Sequence, residues 1–320
     1  MGTIHLEPLV SICIPAHNAQ KYLPATLKAL AAQDYLRIEI IVVDDHSTDK
    51  TKSIIEDFPG TVIILIAAER RGAAAARNIA FKHSKGELII FFDSDDLVEP
   101  NFISQQVKFW KSATPDSLIV SRWGRFYTEN AADFKLEDEQ SDLRMNLRDW
   151  VVNYWTNISQ MTIPARVLIP RNIIIQAGGW NEELSLNDDF EFYTRLFSHA
   201  EQLLINPDAV VKYRSGINGL SQQKQSKEKQ IAQFQSIILA TTIVLQKYQD
   251  PAVKLACANI LQAYVYECYP MLPKLTAKAQ LIIDELGGSN LPFIAGGLTK
   301  LLKNILGWRQ TKRIKYLLGF

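Results

Sequence analysis

The chain holds three cysteines in 320 residues: Cys13, Cys257 and Cys268. The number is odd, and no Cys-x-x-Cys or histidine-rich spacing accompanies them. That excludes a disulfide framework and a thiolate metal site, and implies reduced thiols in a cytosolic setting. Glycine is scarce where a dinucleotide-binding protein needs it. The first hundred residues contain only Gly2, Gly60, Gly72 and Gly86, and no Gly-x-Gly-x-x-Gly occurs anywhere. A dehydrogenase of that type is excluded. No charge of one sign dominates: the net charge is +1, so no global field points to nucleic acid. No apolar run reaches the ~18–20 residues that span a bilayer. The opening MGTIHLEP lacks a basic segment followed by an apolar one, so no signal peptide is expected. These absences place the expected protein in the cytoplasm.

What is present is a chain long enough for one large domain with an appendage. Its charge is uneven. After Glu285 there is no acid but six bases, Lys300, Lys303, Arg309, Lys312, Arg313 and Lys315, so the first 285 residues carry a net charge of −5. Leu298, Leu301, Leu302 and Ile305 form a helical stripe in the same stretch. A basic amphipathic segment over 296–320 fits either an anionic membrane surface or a helix packed on the preceding domain.

The first hundred residues alternate strands and helices. Val10–Ile14, Ile38–Val43, Val62–Ala67 and Leu88–Phe92 are short, β-branched and apolar on both faces. That pattern belongs to parallel strands covered on both sides. Leu23, Leu27 and Leu30 share one helical stripe, and 48–57 and 73–83 also read as helices. The fold class is α/β, with a mostly parallel sheet and right-handed crossovers. Residues 114–185 give no clear pattern. Helices are expected at 222–248, 251–268, 273–286 and 296–306, broken at Pro251, Pro270 and Pro292. The polar stretch SQQKQSKEKQ marks the seam, giving domains at 1–221 and 222–320.

Polar residues gather just past the strand ends. Pro15, His17 and Asn18 follow the first strand, Asp44 and Asp45 the second, and Asp93, Asp95 and Asp96 the strand Leu88–Phe92. In an open parallel sheet, ligands bind in the crevice there. Three carboxylates within four residues repel one another unless a cation balances them. Mg²⁺ takes one or two carboxylates together with waters and substrate phosphates. Asp93-Ser94-Asp95-Asp96 therefore suggests a metal-bridged phosphate substrate. A loop whose acids cap the helix after Pro100 needs only one of them. Asp44 and Asp45 fit acceptors for ribose hydroxyls or a base N–H. Arg77, amid alanines in RRGAAAARNIA, suggests a guanidinium aimed into the crevice. A further cluster, Asp188, Asp189 and Glu191, opens an amphipathic helix in LNDDFEFYTRLF.

Residues from about Leu9 to about Ser221 resemble a family 2 glycosyltransferase with the GT-A fold. VSICIPAHNAQKYLPATLKALAAQ resembles the family's opening Pro-x-Tyr-Asn element, with His17 for Tyr. IIVVDDHSTD resembles Val-Asp-Asp-Gly-Ser-x-Asp, with His46 for Gly. RGAAAARNIA resembles the segment ending in Arg-Asn, and FFDSDD the DXD signature. GGWNEEL resembles the Gly-Gly-Phe-Asp-Glu turn, with Trp180 for Phe. NDDFEFYTRL resembles the Glu-Asp-x-(Asp/Glu)-x-x-x-Arg helix start, with Asp188 for Glu. In YRSGINGLS, Gly216 stands where His is usual. The order of these segments carries the resemblance.

The resemblance implies a nucleotide-sugar donor, a hydroxyl acceptor on a glycan or lipid, and Mn²⁺ or Mg²⁺. By the same resemblance Asp44 or Asp45 holds the base, with Pro15, His17, Asn18, Arg77 and Asp188 also around the donor. Asp93 and Asp95 hold ribose and metal, with Asp96 a second candidate metal ligand. Asp189 is the catalytic base, with Glu191 and Arg195 beside it. A base and a metal-bound leaving group on opposite sides of the sugar imply inversion at C1. A processive synthase would also need membrane spans and a Gln-x-x-Arg-Trp element, but Ile119 precedes Arg122-Trp123 at the required position. Transfer of one sugar or a few is expected, by a cytoplasmic protein that is peripheral at the inner face of the membrane if its tail binds there. The alternative is a non-catalytic partner subunit that binds nucleotide sugar or glycan, and donor turnover separates the two.

Overall fold

The computed structural model describes residues 7–60, 63–137, 143–159, 163–216 and 226–318. In chain order the elements are β1 Val10–Ala16, α1 Leu23–Ala31, β2 Ile38–Asp44, α2 Thr51–Glu56, β3 Ile63–Ala67, α3 Ala73–His83, β4 Leu88–Phe91, β5 Leu97–Val98 and α4 Phe102–Lys111. Then come β6 Ser117–Phe126, β7 Lys135–Leu136, β8 Arg144–Met145, α5 Leu147–Trp150, β9 Val167–Pro170, α6 Arg171–Ala177, α7 Asp188–His199 and β10 Gln202–Arg214. The helices α8 Lys227–Lys247, α9 Pro251–Cys268, α10 Pro273–Glu285 and α11 Gly297–Leu317 complete the chain. Two compact units result, one within 7–146 and 163–216, the other within 147–159 and 226–318. The division expected at 221/222 placed 147–159 with the first unit, whereas they sit with the second.

The first unit is a mixed sheet in the order β3-β2-β1-β4-β9-β6-β10-β5, with β7 and β8 pairing at β6 and β10. β1 to β4 are parallel to one another, β9 is antiparallel to both neighbours, and β10 is parallel to β6. Strand order reverses beside β1, since β2 lies on one side of it and β4 on the other. That reversal opens a crevice at the strand carboxyl ends. The four expected strands form within a residue or two of their predicted bounds, although Val62 lies outside the described residues. Their double-sided apolar character is explained by burial: Ile12, Cys13, Ile14, Ile41, Val42, Val43, Leu88 and Ile89 are all fully buried.

Small residues bring α3 close to this sheet. Ala74, Ala75, Ala76 and Ala80 line its buried face, with Arg77 the one large side chain among them. Gly86 is needed for another close approach. Its N–H donates to Ser11 Oγ at 2.7 Å and to Glu39 Oε1 at 3.0 Å. A Cβ there would lie 2.7 Å from both the Leu9 carbonyl oxygen and the Ser11 nitrogen.

The stretch 114–185 was illegible because, apart from the ten-residue β6, its elements are short and mixed. Ser121–Phe126, within the stretch that gave no pattern, is the end of β6, with Trp123 buried. In the helical unit, Asp250 accepts the Val253 N–H at the start of α9 and a forked pair of bonds from Arg148, both at 2.9 Å. Asn259, fully buried, donates to the Thr156 carbonyl and accepts from Ser289. The helix expected at 296–306 ends at Gly307, which is non-helical at φ 75°, and a second helical segment of α11 follows it to Leu317. Cys13, Cys257 and Cys268 are buried free thiols. Among the described residues no helix is long and apolar enough to cross a membrane.

Overpacking at a site like Gly86 costs about 1–3 kcal/mol. Gly86→Ala should therefore lower Tm by roughly 3–10 °C in a thermal melt. An unchanged Tm would show that the β1–β4 edge does not approach this closely.

Candidate active site

The carboxyl ends of β1, β2 and β4 supply three adjoining loops. Ala16 and Asp44 are register partners at the ends of β1 and β2, while Phe91 ends β4 opposite Cys13. The first two loops are stitched together. Asn18, at φ 47°, accepts the Thr48 N–H at 2.8 Å and donates its own N–H to Ser47 Oγ at 2.9 Å. His17 Nδ1 donates to the Asp45 carbonyl oxygen at 2.6 Å. His46, which replaces the glycine of the motif, keeps a left-handed backbone at φ 57°. Pro15 is half-buried within β1.

Asp44 and Asp45 diverge. Asp45 accepts the Gly72 N–H at 2.9 Å and lies 3.0 Å from His46 Nδ1. Asp44 Oδ1 is buried and has no hydrogen-bond partner among the described residues.

Arg77 is the hub of the site. It projects from α3, 6% exposed, and donates to Asp93 Oδ1 at 2.7 Å and Asp188 Oδ2 at 3.1 Å. Its guanidinium lies 4.4 Å from the Trp180 ring. Burial works against its charge, but Asp93 and Asp188 outweigh burial and hold its pKa above the ordinary arginine value. One side chain thus joins the acidic loop after β4 to the start of α7, which are far apart in sequence. The next residue, Asn78, accepts the Trp180 N–H at 2.7 Å and donates to the Trp180 carbonyl and to Glu182. Trp180 stacks on Phe192, with centroids 4.0 Å apart, and meets Phe91 edge-on.

The acids after β4 take different positions. Asp95 is half-buried, and burial, then the Asp93 charge, push its pKa up to about 7. Asp96 is fully buried, and burial followed by the charges of Asp95 and Asp93 raises its pKa as well. Its Oδ1 accepts the Arg214 N–H at 3.0 Å, and its Oδ2 has no partner among the described residues. Several carboxylates thus share one crevice with an arginine already committed to two of them. Such a donor set fits a hard divalent cation. Among the described residues no three His, Cys, Asp or Glu side chains form a metal cage of their own.

At the head of α7, Asp188 takes Arg77 while Asp189 accepts the Phe190 N–H at 2.8 Å. Burial and the neighbouring Asp188 charge push Asp189 up to about 7. Asp188 is also raised by burial, with Arg77 opposing the shift. Glu191 was expected beside Asp189 together with Arg195. Glu191 is 4% exposed, and both its oxygens are taken by Arg195, at 2.6 and 2.9 Å. Arg195 also donates to the carbonyls of Ala177, Gly178 and Gly179. This pair holds the turn that carries Trp180, and Glu191 does not stand free beside Asp189.

Two residues given no role in the sequence reading shape the site. Arg214, at the end of β10, donates through Nε to the Asp95 carbonyl at 3.0 Å and through Nη1 to that of Thr128 at 3.1 Å, between the rings of Tyr22 and Phe126. Thr26 Oγ1 donates to the carbonyls of Ser94 and Asp96. Arg214 carried a faint signal, the Tyr-Arg pair before Gly216. Thr26 carried none.

The sequence model of glycosyl transferase family 2 matches residues 11–162. Glycosyltransferase GlyG of Streptococcus pneumoniae is 34% identical over 221 residues, covering 65% of this chain and 71% of that protein. The chain belongs to glycosyl transferase family 2. It is also similar to the UDP-Glc:alpha-D-GlcNAc-diphosphoundecaprenol beta-1,3-glucosyltransferase WfaP of Escherichia coli, 44% identical over 105 residues, 32% of this chain and 42% of that one. The chain spans about two thirds, 64%, of the length of the rickettsial glycosyltransferases it matches. Among solved structures, S. aureus TarS 1-349 in complex with UDP-GlcNAc superposes with a TM-score of 0.71 at 18% identity, covering 97% of this chain and 92% of that one. That likeness carries the GT-A fold.

The raised acids give a pH signature. Asp95 and Asp189, near 7 in the fold against 3.8 ordinarily, keep protons that the unfolded chain has already released. Their contribution is therefore greatest below about pH 4 and is lost as pH rises towards 7. In EDTA, Tm should fall by several degrees between pH 5 and pH 7.5. The Asp95→Asn/Asp189→Asn double variant should flatten that slope, and an equal slope in both proteins would contradict the assignment.

Proposed function

We propose that the chain is an inverting glycosyltransferase. It moves one sugar, or a few, from a nucleotide-diphosphate sugar to a hydroxyl acceptor, in the cytoplasm and at the inner face of the membrane. The observation that carries the reading is the Arg77 bridge, which brings the acids after β4 and the head of α7 to one guanidinium. Family membership supports transfer of a sugar. The relatives' names support a nucleotide-sugar donor, and that of WfaP supports a lipid-linked acceptor.

The donor's nucleotide lies along the loops after β1 and β2. Asp44, with its unpartnered Oδ1, accepts from the base, and the stitched His17–Asn18 and Asp45–His46 turns shape the pocket. Asp93, oriented by Arg77, faces the ribose. Asp95 holds Mn²⁺ or Mg²⁺ as the second acid of the DXD element. Asp96, buried on the Arg214 N–H, sets the loop in place; the sequence reading had made it a candidate ligand. When bound, the metal neutralises charge growing on the leaving diphosphate.

Asp189 is the base. The acceptor O–H gives its proton to the Asp189 carboxylate as its oxygen bonds to C1 and the C1–O bond to the diphosphate breaks. Attack opposite the leaving group inverts C1. A carboxyl poised near 7 is matched to this work at neutral pH. Asp188, tied to Arg77, keeps the head of α7 in position. The absence of Gln from the Arg122-Trp123 element supports a non-processive enzyme.

Two variants test the reading. Asp189→Asn keeps the shape but takes no proton, so transfer should fall ~10²–10⁴-fold while donor binding survives. Retained transfer would move the base elsewhere, and loss of binding as well would make Asp189 structural. Mn²⁺ should strengthen nucleotide-sugar binding in a thermal-shift titration, and Asp95→Ala should remove most of that gain. Equal affinity for both proteins in EDTA and in Mn²⁺ would sink the metal assignment.

A further inference from the structure

The first segment of α11 leaves most of its apolar stripe exposed. A surface helix turns its apolar stripe to the core and its charges to water. Here Leu298 is 80% exposed, Leu301 58% and Ile305 70%, and Leu306 is exposed as well. At 3.6 residues per turn these four share one arc. Ile294, 88% exposed, adds to the apolar surface just before the helix. Leu302, the remaining member of the stripe, is half-buried, and Lys303 Nζ donates to the Phe293 carbonyl at 3.2 Å.

The second segment is anchored. After the break at Gly307, Trp308 meets Tyr266, Tyr269 and Phe293 with ring centroids 4.9–6.0 Å apart. Thr311 is fully buried, Lys312 donates to the Glu267 carbonyl, and Arg309 to Gln280. The exposed stripe is thus held by a fixed neighbour and presented outward. Contiguous exposed apolar surface of this kind marks a contact site. Its charge setting selects the partner: six bases and no acid follow Glu285.

We propose that this face of α11 docks on an anionic lipid bilayer. Leu298, Leu301, Ile305 and Leu306 enter the acyl boundary, and the net positive charge of the segment draws it to the headgroups. Ile294 extends the contact. Of the two expectations for the tail, the exposure of Leu298, Leu301 and Ile305 favours the membrane surface. The surface goes beyond the proposed reaction and holds whichever donor is used.

Flotation of the full chain with vesicles tests it. At low salt the protein should rise with phosphatidylglycerol/phosphatidylcholine vesicles and stay behind with phosphatidylcholine alone, and 0.5 M NaCl should release it. The Leu298→Gln/Leu301→Gln/Ile305→Gln variant alters only exposed positions. It should bind anionic vesicles at least tenfold more weakly, with its Tm and its nucleotide-sugar thermal shift unchanged. That last readout separates loss of docking from failure of the proposed function. A wild-type chain that ignores anionic vesicles at low salt overturns the proposal, as does a triple variant that floats like wild type. A wild-type dimer by light scattering that the triple variant dissociates would instead assign the face to a second copy of the chain.

Discussion

One guanidinium sets the geometry of the candidate active site. Arg77 comes from a helix beside β1 and β2, reaches Asp93 after β4 and Asp188 at the start of α7, and lies on the Trp180 ring. Burying an arginine is costly unless it is paired on both sides, and here two carboxylates and an aromatic face share the work. The pairing is mutual, because Asp93 and Asp188 would repel each other without it. Position and charge are therefore fixed together. The alanines around Arg77 let α3 sit low enough on the sheet for the side chain to reach both partners.

A second arrangement supports the first from behind. Asn78 holds the backbone of Trp180, and Arg195, forked on Glu191, holds the carbonyls of 177–179. Gly179 makes this possible, since a Cβ there would lie 2.6 Å from Asn78 Oδ1. Trp180 is thus held through its backbone while its ring packs under Arg77. A phenylalanine ring would also fill that space, which explains why tryptophan is accommodated at this turn. The cost is Trp180 Nε1, buried with no partner among the described residues.

The parallel strands were legible because burial on both faces leaves continuous β-branched runs, and the strand-end acids were legible because like charges seldom cluster without a ligand. The stretch 114–185 was not, because antiparallel β9 and the short β7 and β8 give too few residues for a period to register. The full engagement of Glu191 by Arg195 was not drawn although its spacing held the clue. A Glu four residues before an Arg on a helix pairs with it, and buried as it is, that pair consumes both carboxylate oxygens. Arg214 was missed for another reason. Its partners in the acidic loop are backbone groups and a carboxylate more than a hundred residues away, and a carbonyl leaves no trace in a side-chain pattern.

The acidic doublets share one logic. In each, one carboxylate is tied down by the protein and its neighbour is left less engaged. Asp45 takes the Gly72 N–H, while Asp44 Oδ1 has no partner among the described residues. Asp96 takes the Arg214 N–H in full burial, while Asp95 stays half-buried with a raised pKa. Asp188 takes Arg77, while Asp189 is bonded only locally to the Phe190 N–H. The tied member anchors the loop, and its charge raises the pKa of the neighbour where that shift is resolved, at Asp189. A single acid would have to serve as both anchor and reactive group, and an anchor's oxygens are committed to the protein. Doubling the residue separates the two demands. That separation accounts for adjacent acids recurring at three loops, where one acid at each would have sufficed for capping.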